Sequence, residues 1–247
     1  MRSSLGETRS RIKRSHALVC ADSHEIIGLP HWPDTDVVSY VTPGLGAGFS
    51  LFRIVARRDT LVAPPPHSGI RFVLIRSGEV RVTDGAETRL LRPDDYAYLP
   101  SSAPFTLELS ADAEILCLEH AYKPLSGCAP PGALFGAIPA IDPVPLKGNE
   151  QLHVQKLLPE APGFDMEVNV MTFAPGGSLP YVETHFMEHG LVMLDGGGIY
   201  RLDDSWYPVA QGDVIWMAPF CPQWFGALGR EDARYLIYKN WNRDPLA

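Results

Sequence analysis

The stretch GSLPYVETHFMEH, residues 177–189, carries three metal-binding side chains within seven residues. Glu183 and His185 are two residues apart, so on a strand their side chains point to one face, and His189 follows four residues later with the same parity. Two imidazoles and one carboxylate that converge on a barrel interior form a facial triad, which leaves coordination positions open for substrate or water. The stretch therefore predicts a metal site inside a β-structure.

Short apolar runs separated by glycine and proline extend from this stretch in both directions. The 22 Gly and 23 Pro residues punctuate segments rich in Val, Ile, Leu, Tyr and Phe, and few segments show helical periodicity. This pattern of short apolar runs between glycines and prolines predicts an all-β fold. The predicted strands are 71–75, 79–82, 96–99, 115–118, 167–173, 191–194, 198–202, 214–217 and 234–238.

Two halves of the chain resemble each other, because a glycine, an aspartate and a proline recur at a constant offset of 119 residues. The two sets are Gly78, Asp94 and Pro100, and Gly197, Asp213 and Pro219. A period of this length is too long for a solenoid repeat and indicates a duplicated small β domain. We therefore expect two tandem antiparallel β-barrels of the jelly-roll type, each enclosing a pocket.

Proline marks a connector between the expected barrels. Residues 123–162 contain eight prolines, which break regular elements. The expected organisation is an N-terminal arm at 1–40, an N-terminal barrel at 41–122, the connector, and a C-terminal barrel at 163–247 that carries the metal and the active site.

The spacing of the metal-binding stretch resembles the first motif of the cupins. A glycine, Gly177, is followed at the cupin intervals by the three ligand positions and by Gly196. Cupins usually have His, His and Glu at those three positions, whereas this chain has the order Glu, His, His. The second cupin motif resembles the segment 212–223, in which Gln223 offers a carbonyl oxygen in place of the usual histidine. The resemblance implies a bicupin fold.

This ligand order with a downstream glutamine is similar to that of the (S)-ureidoglycine aminohydrolases, which are bicupin enzymes. Further matching segments are GFDM (163–166), FAPGG (173–177), YRLDD (200–204), Trp206 and NRD (242–244). The resemblance implies hydrolytic deamination of (S)-2-ureidoglycine to (S)-ureidoglycolate and ammonia, in purine (allantoin) catabolism. It also implies a homo-oligomer and a Mn²⁺ ion, although the donor set suits Fe²⁺ or another divalent ion as well.

The same resemblance assigns roles to individual residues. The implied metal ligands are Glu183, His185, His189 and Gln223, and the implied substrate-binding residues are Glu183, Gln223, Tyr235, Lys239 and Tyr200. Lys239 and Glu183 are the expected catalytic residues. Tyr235 and Lys239 are four residues apart on a predicted strand and share a face, and burying a lysine is costly unless it meets an anion. We therefore expect a small anionic ureido substrate, whose carboxylate would supply that anion.

The N-terminal copy lacks the ligand set. At an offset of 118 to 119, the four ligand positions correspond to Pro65, His67, Arg71 and Pro104. Because one histidine remains, we expect the N-terminal barrel to be metal-free.

Composition excludes several classes of partner. The net charge of −8 has the wrong sign for a protein that neutralises many phosphates, so nucleic acid is not an expected partner. No apolar run is long enough to span a bilayer, and the first 25 residues lack an apolar leader segment, so we expect no membrane association. The four cysteines are scattered singly, which is typical of a reducing compartment. The expected location is cytoplasmic.

Two other functions remain open from the sequence. A bicupin Fe(II) dioxygenase would use a similar two-histidine, one-carboxylate site and would consume O₂. A non-catalytic cupin that binds a small ligand would bind a carboxylate tightly without turnover, since fold alone does not fix function.

Overall fold

The computed structural model describes residues 8–64, 69–85, 87–100 and 104–243. These residues form strands joined by turns, with three short 3₁₀ helices at Ala21–Ser23, Pro43–Leu45 and Ile138–Ala140. The predicted all-β class is therefore confirmed. No helix in the described part of the chain is long and apolar enough to cross a membrane.

The strands in chain order are β1 (Arg11–Ile12), β2 (His16–Val19), β3 (Ile26–Ile27), β4 (Thr35–Val41), β5 (Phe49–Ala56), β6 (Thr60–Val62), β7 (Gly69–Ser77), β8 (Val80–Asp84), β9 (Glu87–Leu91), β10 (Asp95–Leu99), β11 (Phe105–Leu109), β12 (Glu114–Ala121), β13 (Leu134–Ala137), β14 (Val144–Leu146), β15 (Asn149–Lys156), β16 (Met166–Phe173), β17 (His189–Asp195), β18 (Gly197–Leu202), β19 (Ser205–Ala210), β20 (Val214–Met217), β21 (Gln223–Ala227) and β22 (Ala233–Asn240). All nine predicted strands are present, with ends that differ by a few residues.

The chain divides into two compact units, Glu25–Ala140 and a second unit made of Met1–His24 with Ile141–Ala247. We call them the N-terminal unit and the C-terminal unit. In the C-terminal unit an eight-stranded antiparallel sheet, in the order β1-β2-β20-β17-β22-β16-β15-β14, accompanies a three-stranded sheet, β19-β18-β21. In the N-terminal unit the two sheets are β13-β10-β7-β12-β5-β4-β3 and β6-β11-β8-β9.

Aromatic side chains fill the core of the C-terminal unit. Phe173, Phe225 and Tyr235 are almost fully buried, and the ring centroids of the two phenylalanines are 4.8 Å apart in an edge-to-face arrangement. Burying one such side chain contributes about 1.5–3 kcal/mol to the free energy of unfolding. These residues come from β16, β21 and β22, so the core joins the large sheet to the small one and leaves a cavity beside it.

The duplication is visible in the order of the strands. The run β20-β17-β22-β16-β15 of the C-terminal unit repeats the run β10-β7-β12-β5-β4 of the N-terminal unit. Arg71 pairs with Glu119 on β12, and His189 pairs with Lys239 on β22, so Arg71 and His189 hold equivalent positions 118 residues apart.

The predicted constant offset of 119 is wrong by one residue at the turn after β7 and β17. Gly78 and Gly196 both have left-handed backbones, with φ of +71° and +64°, so the equivalent turn glycines are 118 residues apart. A Cβ atom on Gly196 would lie 2.5 Å from the carbonyl oxygen of Asp232. Only glycine fits both the conformation and the space at this turn.

The structure places the first residues differently from the predicted arm at 1–40. Strand β2 pairs with β20, and the guanidinium of Arg9 makes two hydrogen bonds of 3.0 Å to the buried carboxylate of Asp213. Residues 8–24 are therefore part of the C-terminal unit, and β3 and β4 belong to the N-terminal unit. The prediction missed this because the partner of β2 lies about 200 residues away in the sequence.

The expected connector at 123–162 also contains regular structure. Strand β13 pairs with β10, while β14 and β15 extend the large sheet of the C-terminal unit. Its prolines lie outside β13 and β15 and occur in β14 only as Pro145, near the sheet edge. Proline is tolerated at an edge because it removes a donor that has no partner there.

Candidate active site

A cavity of about 210 Å³ lies within the C-terminal unit. Every site residue predicted from the sequence lines it, namely Glu183, His185, His189, Tyr200, Gln223, Tyr235 and Lys239. The structure thus brings all seven to one cavity, which is the arrangement that a substrate pocket requires.

Glu183 and Gln223 face each other across an isolated antiparallel bridge. The amide of each residue donates to the carbonyl of the other at 2.8 Å. Directly opposed residues in an antiparallel pair project to the same side. The backbone therefore holds the carboxylate and the amide of this pair side by side at the cavity wall.

Strand parity, from which Glu183, His185 and His189 were expected to share a face, does not apply, because the three residues do not lie on one strand. Glu183 lies in the bridge, the chain then bends, and β17 begins at His189. The carbonyl of His185 accepts a hydrogen bond of 2.6 Å from the amide of Phe220, so it is not available to a sheet neighbour. The two imidazoles nevertheless approach each other, with ring centroids 5.3 Å apart.

The carboxylate of Glu183 has two partners. Lys147 Nζ donates to Oε1 at 3.0 Å, and His185 Nε2 lies 3.2 Å from Oε2. Burial raises the pKa of Glu183, but the hydrogen bonds from His185 and Lys147 outweigh burial and hold the pKa below the usual value for a glutamate. Glu183 is therefore ionised at neutral pH. Lys147 also donates to the hydroxyl of Tyr181 at 2.6 Å.

His189 is a buried neutral imidazole. Burial, followed by the positive charge of Lys239, lowers its pKa well below the ordinary value, although a hydrogen bond to the backbone of Met187 acts in the opposite direction. A metal-binding histidine must be neutral, and it commonly donates its other ring nitrogen to a backbone carbonyl. The surroundings of His189 meet both conditions.

These four side chains offer a donor set that fits a divalent ion: two imidazoles, a carboxylate and an amide oxygen at one cavity. They are not gathered into a coordination shell. Within the residues that the structure describes, no three His, Cys, Asp or Glu side chains lie close enough to hold a metal ion. The carboxylate of Glu183 is turned toward Lys147 as well as His185. The ligand assignment stays a prediction.

Two phenols connect to the amide of Gln223. The hydroxyl of Tyr200 donates to Gln223 Oε1 at 3.3 Å, and Tyr235 donates to Tyr200. Burial raises the pKa of both phenols far above the ordinary value. Both are neutral donors at any physiological pH, and the chain from Tyr235 through Tyr200 fixes which way the amide of Gln223 points.

The structure corrects the argument that Lys239 needs a substrate to supply its anion. Its ammonium does not depend on a substrate for an anion, because Nζ lies 3.4 Å from Oε2 of Glu167, which is buried. The other oxygen of Glu167 accepts a hydrogen bond of 2.8 Å from Asn169 Nδ2. His189, Lys239 and Glu167 form one cross-strand row on β17, β22 and β16.

Sequence reasoning missed five polar residues of the cavity: Lys147, Lys156, Glu160, Glu167 and Asn169. A signal for two of them exists in the segment MEVNV at 166–170, where Glu and Asn alternate with apolar residues in a predicted strand. Such alternation places both polar side chains on the same face. Lys147 lies in the turn between β14 and β15, inside the expected connector, and no local pattern links it to Glu183.

The N-terminal unit has a different arrangement at the position of His189. The fully buried guanidinium of Arg71 bonds to Glu119 at 2.7 Å and lies 4.4 Å above the ring of Trp32. Pro104 is exposed outside the strands. The other two predicted equivalents, Pro65 and His67, lie outside the described residues.

The comparisons with known proteins bear on this site. The cupin domain model (Cupin_2) matches residues 169–238, which include all four predicted ligands. The (S)-ureidoglycine aminohydrolase of Arabidopsis thaliana is 38% identical over 244 residues, covering 98% of this chain and 80% of that protein. The (S)-ureidoglycine aminohydrolase of Escherichia coli K12 is 31% identical over 229 residues, covering 87% of this chain and 84% of that protein. The chain belongs to the (S)-ureidoglycine aminohydrolase family.

Solved structures agree with the fold of this family. The crystal structure of Ylba from E. coli superposes with a TM-score of 0.84 at 28% identity and covers 96% of each chain. A putative glyoxylate-induced protein from Pseudomonas aeruginosa superposes with a TM-score of 0.89 at 25% identity, covering 98% of this chain and 94% of that one. The bicupin architecture is therefore confirmed, and the cupin fold and the aminohydrolase family together suggest a divalent metal.

Proposed function

We propose that this chain catalyses the hydrolytic deamination of (S)-2-ureidoglycine to (S)-ureidoglycolate and ammonia, as a step of purine (allantoin) catabolism. The observation that carries the proposal is the family membership over nearly the whole chain, together with the single cavity that all seven predicted site residues line.

The metal belongs to the same proposal. Glu183, His185, His189 and Gln223 would hold the ion, and their mixed oxygen and nitrogen donors suit Mn²⁺, the ion that the family resemblance implies. When bound, the ion supplies Lewis-acid polarisation of the substrate and a fixed point for its orientation. Glu183 would have to give up its contact with Lys147 for its carboxylate to hold the ion.

The residues of the chain have distinct tasks in the reaction. Water replaces the amino group on the central carbon, so the departing nitrogen gains a proton and the water loses one. Glu183 is ionised and can accept a proton, while Lys239 brings N–H donors that can bind the substrate carboxylate or pass a proton to the departing amine. Tyr235 and Tyr200, as neutral donors, orient the substrate and the amide of Gln223.

The proposed setting is cytoplasmic, and the proposed assembly is a homo-oligomer acting on a small anionic ureido substrate, without nucleic acid or membrane partners. The support is the family resemblance and the net charge of −8. Metal analysis of purified protein and light scattering on a sizing column test the ion and the assembly.

The deciding experiment measures ammonia release from freshly generated (S)-ureidoglycine. It compares Mn²⁺-loaded protein, chelated protein, and the Glu183→Ala and Lys239→Ala variants, with metal content determined for each. We expect loss of activity in all three altered samples, with metal lost from Glu183→Ala but retained by Lys239→Ala. His153→Ala removes a histidine of β15 that does not line the cavity and serves as the control.

If the loaded wild-type protein releases ammonia no faster than the spontaneous reaction, the proposal is wrong. Oxygen uptake by the iron-loaded protein would then support the dioxygenase instead. Tight carboxylate binding without turnover would support a ligand-binding cupin.

A further inference from the structure

Asn169 is a buried amide on the inner face of the barrel. On β16 it lies between Glu167 and Met171, which line the same cavity, and its side chain is 2% exposed. Its cross-strand neighbours are Lys156 on β15 and Ile237 on β22. The amide therefore belongs to the wall of the site.

The orientation of this amide is fixed by its neighbour. Nδ2 donates to Oε1 of Glu167 at 2.8 Å, and the second oxygen of Glu167 faces Lys239. A flipped amide would place its oxygen against a carboxylate oxygen, where both groups can only accept. The Lys239–Glu167 pair thus sets Oδ1 of Asn169 as an acceptor.

That acceptor has no protein partner. Among the described residues, no donor lies within hydrogen-bonding distance of Asn169 Oδ1, and the atom is shielded from solvent. Buried polar atoms in native proteins are nearly always hydrogen-bonded, so an unpaired one calls for an explanation. An acceptor that a bound ligand satisfies is such an explanation.

The hydrogen-bonding groups around the cavity indicate which part of the ligand contacts Asn169. A carboxylate offers only acceptors, so it cannot satisfy Asn169 Oδ1, even where Lys239 beside Glu167 binds it. A ureido group offers three N–H donors. The phenols of Tyr200 and Tyr235 are engaged with Gln223 and with each other, so neither supplies a donor to Asn169. Donors of the ligand therefore fit the β16 wall.

We propose that Asn169 Oδ1 accepts a hydrogen bond from a ureido N–H of the substrate, and that Asn169, positioned by Glu167, determines the preference for ureido compounds over simple 2-substituted acids. This inference rests on the proposed function, since it takes (S)-ureidoglycine and (S)-ureidoglycolate as the ligands. It adds to that function a residue that recognises the ureido group of the substrate.

The test compares two ligands by titration calorimetry on Mn²⁺-loaded protein. One is (S)-ureidoglycolate, and the other is glycolate, in which hydrogen replaces the ureido group. We expect Asn169→Ala to weaken ureidoglycolate binding about tenfold, equivalent to about 1.4 kcal/mol, and to change glycolate binding less than about twofold. Met171→Ala, an apolar change on the same face, should leave the ratio of the two affinities unchanged.

A structural role would give a different result. If Asn169→Ala leaves both affinities unchanged, or weakens both ligands equally, the inference is overturned. Should Asn169→Ala fail to fold, Asn169→Ser gives the same ratio test, because its shorter side chain cannot place an acceptor at the position of Oδ1. If wild-type protein releases ammonia but Asn169→Ala does not change the ratio of the two ligand affinities, the inference fails and the proposed function stands. If the ratio changes but wild-type protein releases no ammonia, the proposed function fails alone.

Discussion

Replacing Tyr200 with phenylalanine removes one hydroxyl from the barrel interior and tests whether the phenol chain positions the amide of Gln223. That hydroxyl donates to Gln223 Oε1 at 3.3 Å and accepts from Tyr235. Tyr200 is 1% exposed and Tyr235 is 2% exposed, so bulk water cannot supply the missing partners. The variant leaves one buried donor unsatisfied and allows the amide to turn.

The expected magnitude follows from this geometry. An O–H···O distance of 3.3 Å is longer than the usual range, so the bond to Gln223 contributes about 0.5 kcal/mol, at the low end for hydrogen bonds. The unsatisfied hydroxyl of Tyr235 adds about 1–3 kcal/mol. We expect the free energy of unfolding to fall by about 1.5–3.5 kcal/mol. Removing a partner that orients a metal ligand weakens metal binding about 10- to 100-fold, and the long bond favours the lower figure.

The assay is competition for Mn²⁺ against a fluorescent chelator, with urea unfolding measured on the same samples. Tyr207→Phe is the matched control, because the hydroxyl of Tyr207 is also in the interior of the C-terminal unit and bonds to His16 Nε2 at 2.9 Å. It should lose comparable stability and keep its metal affinity. Equal metal dissociation constants for the two variants would refute the reasoning.

Two further predictions concern charged groups. Glu119→Ala leaves the guanidinium of Arg71 buried without its anion, so we expect the free energy of unfolding, measured in urea, to fall by about 3–5 kcal/mol. A decrease under about 1 kcal/mol would show that the pair is not buried in solution. Lys147→Met removes a half-exposed cation from Glu183. It should tighten Mn²⁺ binding by about twofold to fivefold, because exposed ion pairs are of modest strength. Weaker binding would mean that Lys147 stabilises the metal-bound protein.

The strands that could be predicted are those whose signal is local. Residues 167–173 and 234–238 are apolar runs between turns, and they form β16 and β22 at the centre of the large sheet. Strand β2 could not be predicted, because its four residues follow a basic segment and gain their hydrogen bonds from β20, about 200 residues away, and from the short edge strand β1. Edge strands depend on a sheet that the rest of the chain builds, and local sequence carries little information about that sheet.

In the site, too, the features with a local signal could be predicted and those that depend on long-range contacts could not. Spacing identified Glu183, His185 and His189 as ligand candidates, and the family resemblance added Gln223. Spacing did not identify the bend after Glu183, which depends on a hydrogen bond between His185 and Phe220. Nor did it identify Glu167 as the anion beside Lys239, since the two residues meet only through the pairing of β16 with β22. Long-range pairing therefore decides which charges neutralise each other.

One cross-strand row explains how the duplicated fold gives two different interiors. At the equivalent positions, the N-terminal unit pairs Arg71 with Glu119, and the C-terminal unit pairs His189 with Lys239. In the first row a cation and an anion satisfy each other directly. In the second, Lys239 takes its anion from the next strand, and burial with that positive charge keeps His189 neutral, the form that can bind a metal. The two units thus share one strand order and differ in the side chains of this row. In the N-terminal unit these side chains form an internal ion pair, and in the C-terminal unit they line a ligand-binding cavity.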